Sequence, residues 1–209
     1  MGSAYLVALN LARLNVLVVG GGEVALRKVR GLCPSPLRLV VVAPDICPGL
    51  TQLLEEVECE VAILERKFLP SDLADCQLVF AATSDRFVNA EISRLCKKKG
   101  VLVNNVSDSG LSTFGNVALA GRGGVTVGVS SGSKVPGFSK ALGKLIDEIL
   151  PAEINSLLAI AAEVRSKALS SGVSASDLDW EKVMSSPVLE LIRAGEIVRA
   201  EESLTECLF

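Results

Sequence analysis

Residues 16–28 read VLVVGGGEVALRK. A β-branched run, Val16 to Val19, meets three consecutive glycines and then a stretch with helical spacing. Few backbones accept that order other than a strand turning sharply into a helix. The pattern is G-x-G-x-x-A. Gly20 permits the tight turn, Gly22 lets the chain come close to a pyrophosphate, and Ala25 lets the helix lie near the strand. The helix start, at Glu23 and Val24, then turns free N–H groups toward the phosphates, where the helix dipole favours negative charge. A plain glycine-rich strand–helix turn has the same local sequence, so the rest of the chain has to supply the context.

Short apolar runs recur at 15–19, 37–43, 60–64, 77–82, 101–103 and 125–129, with helix-like stretches at 24–32, 49–57 and 87–99. Nearly continuous β-branched runs suit strands covered on both faces of a parallel sheet. Strands alternating with helices define an α/β fold, here a Rossmann-like doubly wound parallel sheet. Beyond residue 136 the apolar residues follow helical period: Phe138, Ala141, Leu142, Leu145 and Ile149, then Ile154, Leu157, Leu158, Ala161, Val164 and Ala168. A further helix is predicted over 189–202, with a loop at 172–176. The last third of the chain is therefore expected to be helical.

Composition narrows the function. Hydrophobic residues are 49% of 209, and a chain of this length buries about 70% of its unfolded surface. Lys plus Arg number 21 and Asp plus Glu 24, a net charge of −3, which argues against a dedicated nucleic-acid binder. Histidine is absent, removing Ser-His-Asp triads, His-ligated zinc and any imidazole proton shuttle. The six cysteines, at 33, 47, 59, 76, 96 and 207, contain no CxxC pair, so no metal site is expected. They read as reduced and mostly buried thiols of a cytoplasmic protein. No apolar stretch reaches membrane-spanning length, and the start has no basic leader pattern; no membrane association is expected.

Three further segments carry site candidates. Ribose recognition needs an acid near the end of the second strand. Pro44-Asp45 is the first place that offers one, and no Arg stands beside it, so NAD is favoured over NADP. The fourth strand ends in AATSD (81–85). There Ala82 and Thr83 lie over the cofactor, and Ser84 or Asp85 is placed to cap the next helix. Residues 104–108, NNVSD, and 130–136, SSGSKVP, follow strands. The second of these precedes a helix and resembles another anion-binding N-terminus, with hydroxyls and Lys134 beside it.

In order, VLVVGGGEVALRKV, VVAP, AATSD, LVNNVSD, Phe114-x-x-x-Ala118-x-x-x-Arg122 and VSSG with a proline four residues on resemble the precorrin-2 dehydrogenase and sirohydrochlorin ferrochelatase family, the N-terminal module of siroheme synthase. DWEKVMSSPVLELIRAGE is similar to that family's helical tail. The resemblance implies oxidation of precorrin-2 by NAD, with iron insertion in bifunctional members. It also implies three regions: an NAD-binding domain at 1–112, a dimerisation and substrate-binding segment at 113–150, and a helical domain at 151–209. The stretch from Asp108 to Val135, short of helix, is expected to leave Leu111, Phe114, Val117 and Leu119 for a partner copy in a homodimer. Gly20, Gly22, Glu23, Val24, Pro44, Asp45, Ala82 and Thr83 are then the cofactor residues. Asn104, Arg122, Ser131 and Lys134 are the substrate candidates, with Lys140 and Lys144 beside them, for a substrate bearing eight carboxylates. Bifunctional members carry Asn-x-x-Asp in the LVNNVSD region. Counting back from Phe114 puts Ser107 at that position and Asp108 one residue late. These two are the catalytic candidates, and a dehydrogenase with weak or absent ferrochelatase activity is expected. A nucleotide-sensing regulatory domain uses the same glycine-rich turn without chemistry and is the alternative reading.

Overall fold

The computed structural model describes residues 5–33, 35–132, 135–185 and 187–208. The chain divides into two compact units, Met1–Asn116 and Val117–Phe209. Residues 113–116, assigned from sequence to the dimerisation segment, belong to the first.

Five strands build the first unit: β1 (Asn15–Val19), β2 (Arg38–Val42), β3 (Glu60–Leu64), β4 (Leu78–Ala81) and β5 (Leu102–Asn105). They are all parallel, in the order β3-β2-β1-β4-β5. The order reverses between β1 and β4, which is the switch point of a doubly wound sheet. Alternation along β1 explains the two layers. Val16 and Val18 enter one core with Ala25, Leu26 and Val29 of α1 (Glu23–Leu32) and Leu50 and Leu54 of α2 (Pro48–Glu56). Leu17 and Val19 enter the other with Ile92 and Cys96 of α3 (Arg86–Lys99). Asp85, rather than Ser84, caps α3, accepting from Phe87 N at 2.8 Å and Val88 N at 3.3 Å. Three lysines occupy its last turn, and Gly100, at φ +72, ends it, as a left-handed C-cap does.

Several expectations change. β3 is an edge strand whose residues are half-buried or exposed, because only a short 3-10 segment, Pro70–Leu73, links it to β4 where a covering helix would otherwise lie. The run 125–129 is outside the parallel sheet. In the second unit β7 (Val125–Val129) pairs antiparallel with β6 (Ala118–Arg122), a strand unrecognised in the sequence because its residues ALAGR are mostly small. Phe114 is not left for a partner: its ring meets Phe80 edge-on at 5.4 Å and packs against the first core.

The second unit continues with α4 (Pro136–Ile149), α5 (Ile154–Ser170), α6 (Trp180–Ser185), α7 (Val188–Arg193) and α8 (Ile197–Leu208). The single helix expected over 189–202 is two. Gly195 takes φ +77, a conformation that stops α7 and redirects the chain. Leu157, Val164, Ala168, Val188, Ile192, Ala200, Leu204 and Leu208 form the core of this unit. No helix among the described residues is long and apolar enough to cross a membrane.

All six cysteines are free; Cys96 is buried and the other five are half-buried, fewer buried than expected. Burial pushes the Cys33, Cys76 and Cys96 thiols up to about 11. At neutral pH each then holds on the order of 100-fold less thiolate than an unperturbed thiol. Alkylation by iodoacetamide is expected to be correspondingly slow at these three and to accelerate as pH rises toward 11; mass spectrometry of timed samples reads it.

Candidate functional site

The carboxyl ends of β1, β2, β4 and β5 are locked together by bonds that extend the ladders. Gly20 N–H donates to Val42 O at 2.9 Å, Ala82 N–H to Val19 O at 2.8 Å and Val106 N–H to Ala81 O at 3.1 Å. The three glycines that follow β1 have three different reasons to be glycine. Gly20 has φ +127, and a Cβ there would fall 2.3 Å from the Ala82 carbonyl oxygen. At Gly21 a Cβ would fall 2.0 Å from the Asp45 carbonyl oxygen, because the loop after β2 folds in and Cys47 N–H donates to Gly21 O at 2.8 Å. Gly22 meets nothing within 4 Å. It is the N-cap of α1 in ordinary extended conformation (φ −92, ψ −172), and no side chain caps the helix there.

So the first two glycines serve packing, and the third leaves the backbone at the α1 N-terminus open. A Gly22 Cβ would enter the space in front of the α1 N-terminus, where Glu23 is exposed and Val24 half-buried. This cradle fits a dinucleotide pyrophosphate on its open glycine and helix start. Gly20→Ala is expected to destabilise the fold by roughly 2–4 kcal/mol, from the left-handed strain and the clash; urea unfolding measures it. The need for Gly21 was missed because the G-x-G pattern treats the middle position as free.

Around the cradle, Pro44 and Asp45 are exposed, Ala82 is buried and Thr83 is half-buried. Thr83 is fixed by Asn89 on α3, which accepts from Thr83 N at 3.1 Å and lies 2.8 Å from its hydroxyl. Asn89 also donates to Thr83 O at 2.9 Å and to Ser107 Oγ at 2.7 Å. Asn105 accepts from Ser107 N at 2.9 Å and Asp108 N at 3.0 Å. The structure thus brings Ala82 and Thr83 together with Ser107 and Asp108, on adjacent loops at the ends of β4 and β5. Asn104 faces elsewhere: buried, it donates to Phe114 O at 3.1 Å. The amide that serves the loop is that of its neighbour Asn105, as strand alternation requires. Asp108 is exposed, and one of its oxygens accepts from Gly110 N at 2.8 Å, capping a short 3-10 turn.

The remaining candidates belong to the second unit. Arg122 is exposed at the end of β6, where Asp147 of α4 accepts from Gly121 N at 2.6 Å and Asn155 of α5 accepts from Gly124 N at 3.3 Å. Ser131 Oγ donates to Val135 O at 3.0 Å and lies 2.9 Å from the buried Ser139 hydroxyl, which ties Ser131 to the start of α4. Lys134 lies outside the described residues. Lys140 and Lys144 are exposed on α4. Among the described residues no group of three His, Cys, Asp or Glu is placed to hold a metal ion.

A parallel sheet with a glycine cradle at its switch point is a dinucleotide-binding fold. The family model described as "Putative NAD(P)-binding" matches residues 7–118, more than half of the chain. The chain belongs to that family, and residues 7–118 form a domain for a nicotinamide dinucleotide. It is also similar to siroheme synthases: 36% identical over 201 residues to that of Stutzerimonas stutzeri (strain A1501), covering 95% of this chain and 43% of the relative. For that of Nitrosomonas europaea the identity is 33% over 204 residues, covering 97% and 43%. The chain thus spans less than half the length of these relatives. A solved structure of SirC, precorrin-2 dehydrogenase, superposes with TM-score 0.72 at 23% identity, covering 95% of this chain and 99% of that one; it has the same fold.

Proposed function

We propose that this chain oxidises precorrin-2 to sirohydrochlorin with NAD. The carrying observation is that similarity to siroheme synthases extends over 95% of the chain, through the hairpin and helical unit that a bare nucleotide sensor does not need. A nicotinamide ring, when bound, accepts a hydride. The residues of this chain do the rest. Gly22, Glu23 and Val24 receive the pyrophosphate, Pro44 and Asp45 border the ribose, and Ala82 and Thr83 leave room for the reactive end. Asp45 after β2 supports NAD over NADP. Arg38 lies at the opposite end of that strand, paired with Glu60 at 3.0 Å. The proton lost with the hydride goes to Asp108, whose exposed carboxylate has an oxygen free of the Gly110 bond, or to water. Arg122 and Lys134 hold substrate carboxylates, while Ser131, whose proton goes to Val135 O, and Asn104 act through the backbone they tie.

The exposed face of α4 supports an assembly. Phe138, Leu142, Leu145 and Ile149 are spaced by four, three and four residues and are 61%, 36%, 52% and 69% exposed. Such a stripe on one helix face marks an association surface, and a homodimer through it completes the reading, in a cytoplasmic protein with free thiols. Purified chain with precorrin-2 made in situ is expected to produce reduced nicotinamide with NAD and much less with NADP. Binding of NAD without turnover would favour the sensor instead, and sedimentation as a monomer at micromolar concentration would remove the dimer.

A further inference from the structure

We infer that Asn89 is a positioning residue that sets the direction in which the Ser107 hydroxyl donates, making Ser107 a hydrogen-bond donor to a substrate carboxylate; this rests on the dehydrogenase reading above. Asn89 is fully buried, and a side-chain amide has two N–H donors and one acceptor oxygen. Both donors are used, on Thr83 O and Ser107 Oγ, and the oxygen accepts from Thr83 N. Turning the amide over would set its NH₂ against the Thr83 N–H, donor against donor, so its orientation is fixed by chemistry. Ser107 Oγ therefore receives a proton from Asn89. Its own proton points away from α3, from an exposed residue.

The backbone of Ser107 is tied to the same helix. Ser93 Oγ donates to Asn89 O at 2.9 Å and accepts from Asn105 Nδ2 at 3.0 Å, and Asn105 Oδ1 holds the Ser107 and Asp108 amides. Reversing the hydroxyl toward Asn89 would require that amide to turn over, which the Thr83 N–H and Thr83 O forbid. A fixed outward donor suits an acceptor, and carboxylates are the acceptors that a tetrapyrrole polyacid brings. Through Thr83 the same amide also holds the loop that receives the cofactor.

The test uses the full chain with NAD and precorrin-2, and calorimetric binding of sirohydrochlorin. A hydrogen bond to a charged group is typically worth a factor of roughly 10–100. Ser107→Ala is expected to raise KM and the sirohydrochlorin Kd by about tenfold or more, with kcat and the NAD Kd little changed. Ser107→Thr, which keeps the hydroxyl, should restore both. Asn89→Asp keeps the volume but offers an acceptor to Ser107, turning its proton inward, and should raise KM as Ser107→Ala does. Unlike Ser107→Ala, it should also weaken NAD through Thr83. Combining it with Ser107→Ala should add little further. If Asn89→Asp does not fold, Ser107→Ala and Ser107→Thr still decide. An unchanged KM in Ser107→Ala, or additive effects in the double variant, would overturn the inference while wild-type turnover keeps the dehydrogenase reading. Absence of wild-type turnover with the same pattern in sirohydrochlorin Kd would overturn the reading and keep the inference. Absence of tetrapyrrole binding would overturn both.

Discussion

A Gly22→Asp protein is expected to fold as stably as the wild type and to lose nicotinamide-dinucleotide affinity by at least about 100-fold. The stability half follows from the backbone. Gly22 is in ordinary extended conformation at an N-cap, and an added Cβ meets nothing within 4 Å. Aspartate is among the best N-cap residues and gains a few tenths of a kcal/mol over glycine. The affinity half follows from charge. A carboxylate at the helix start takes the N–H groups that the proposed site offers to the pyrophosphate. At about 4 Å it also repels a phosphate charge by about 4 kcal/mol at an effective dielectric of about 20. Circular dichroism melting and calorimetric titration with NAD measure the two halves separately. Unchanged affinity in the folded variant would remove the site from the α1 N-terminus.

Iron insertion into sirohydrochlorin is expected to run no faster with this chain than without it, and Ser107→Asp is expected to raise it at least tenfold above that background. Insertion releases two pyrrole protons and needs a base beside the macrocycle. The chain has no histidine, and the Ser107 hydroxyl is no base at neutral pH. Asp108, about 3.8 Å along the chain, directs an oxygen to Gly110 N at 2.8 Å, and misplacement by about 1 Å already costs on the order of 100-fold. A carboxylate at 107 would find the Asn89 NH₂, now 2.7 Å from the hydroxyl oxygen, ready to hold it. The loop register supports this comparison. Thr113 and Phe114 N–H both donate to Val103 O and Asn104 holds Phe114 O, so the loop is pinned at both ends and position 107 is fixed within it. Anaerobic incubation of wild type and variant with ferrous iron, following siroheme absorbance, decides. Wild-type siroheme formation far above background would overturn the expectation.

The sequence by itself determined the parallel sheet, because β1, β2 and β4 are apolar runs whose alternating faces need helices on both sides. It also determined the sharp glycine turn from β1 into α1, because a strand, G-x-G-x-x-A and a helix in succession leave the backbone little choice. Tertiary structure alone decided the rest. The hairpin of β6 and β7 escaped notice because ALAGR has no β-branched run and only its partner strand makes it a strand. The 189–202 stretch breaks because Gly195 at φ +77 turns the chain, whereas apolar periodicity runs on through it. Phe114 joins the first unit because Phe80, 34 positions earlier in the sequence, is there to receive it. The amide that organises the site loop is Asn105 rather than Asn104, since which side of β5 faces α3 is set by the neighbouring strand's register. Asn89 likewise reads in sequence as one more polar residue on a helix. Its meaning comes from two loops, separated by more than twenty residues, that converge on its amide.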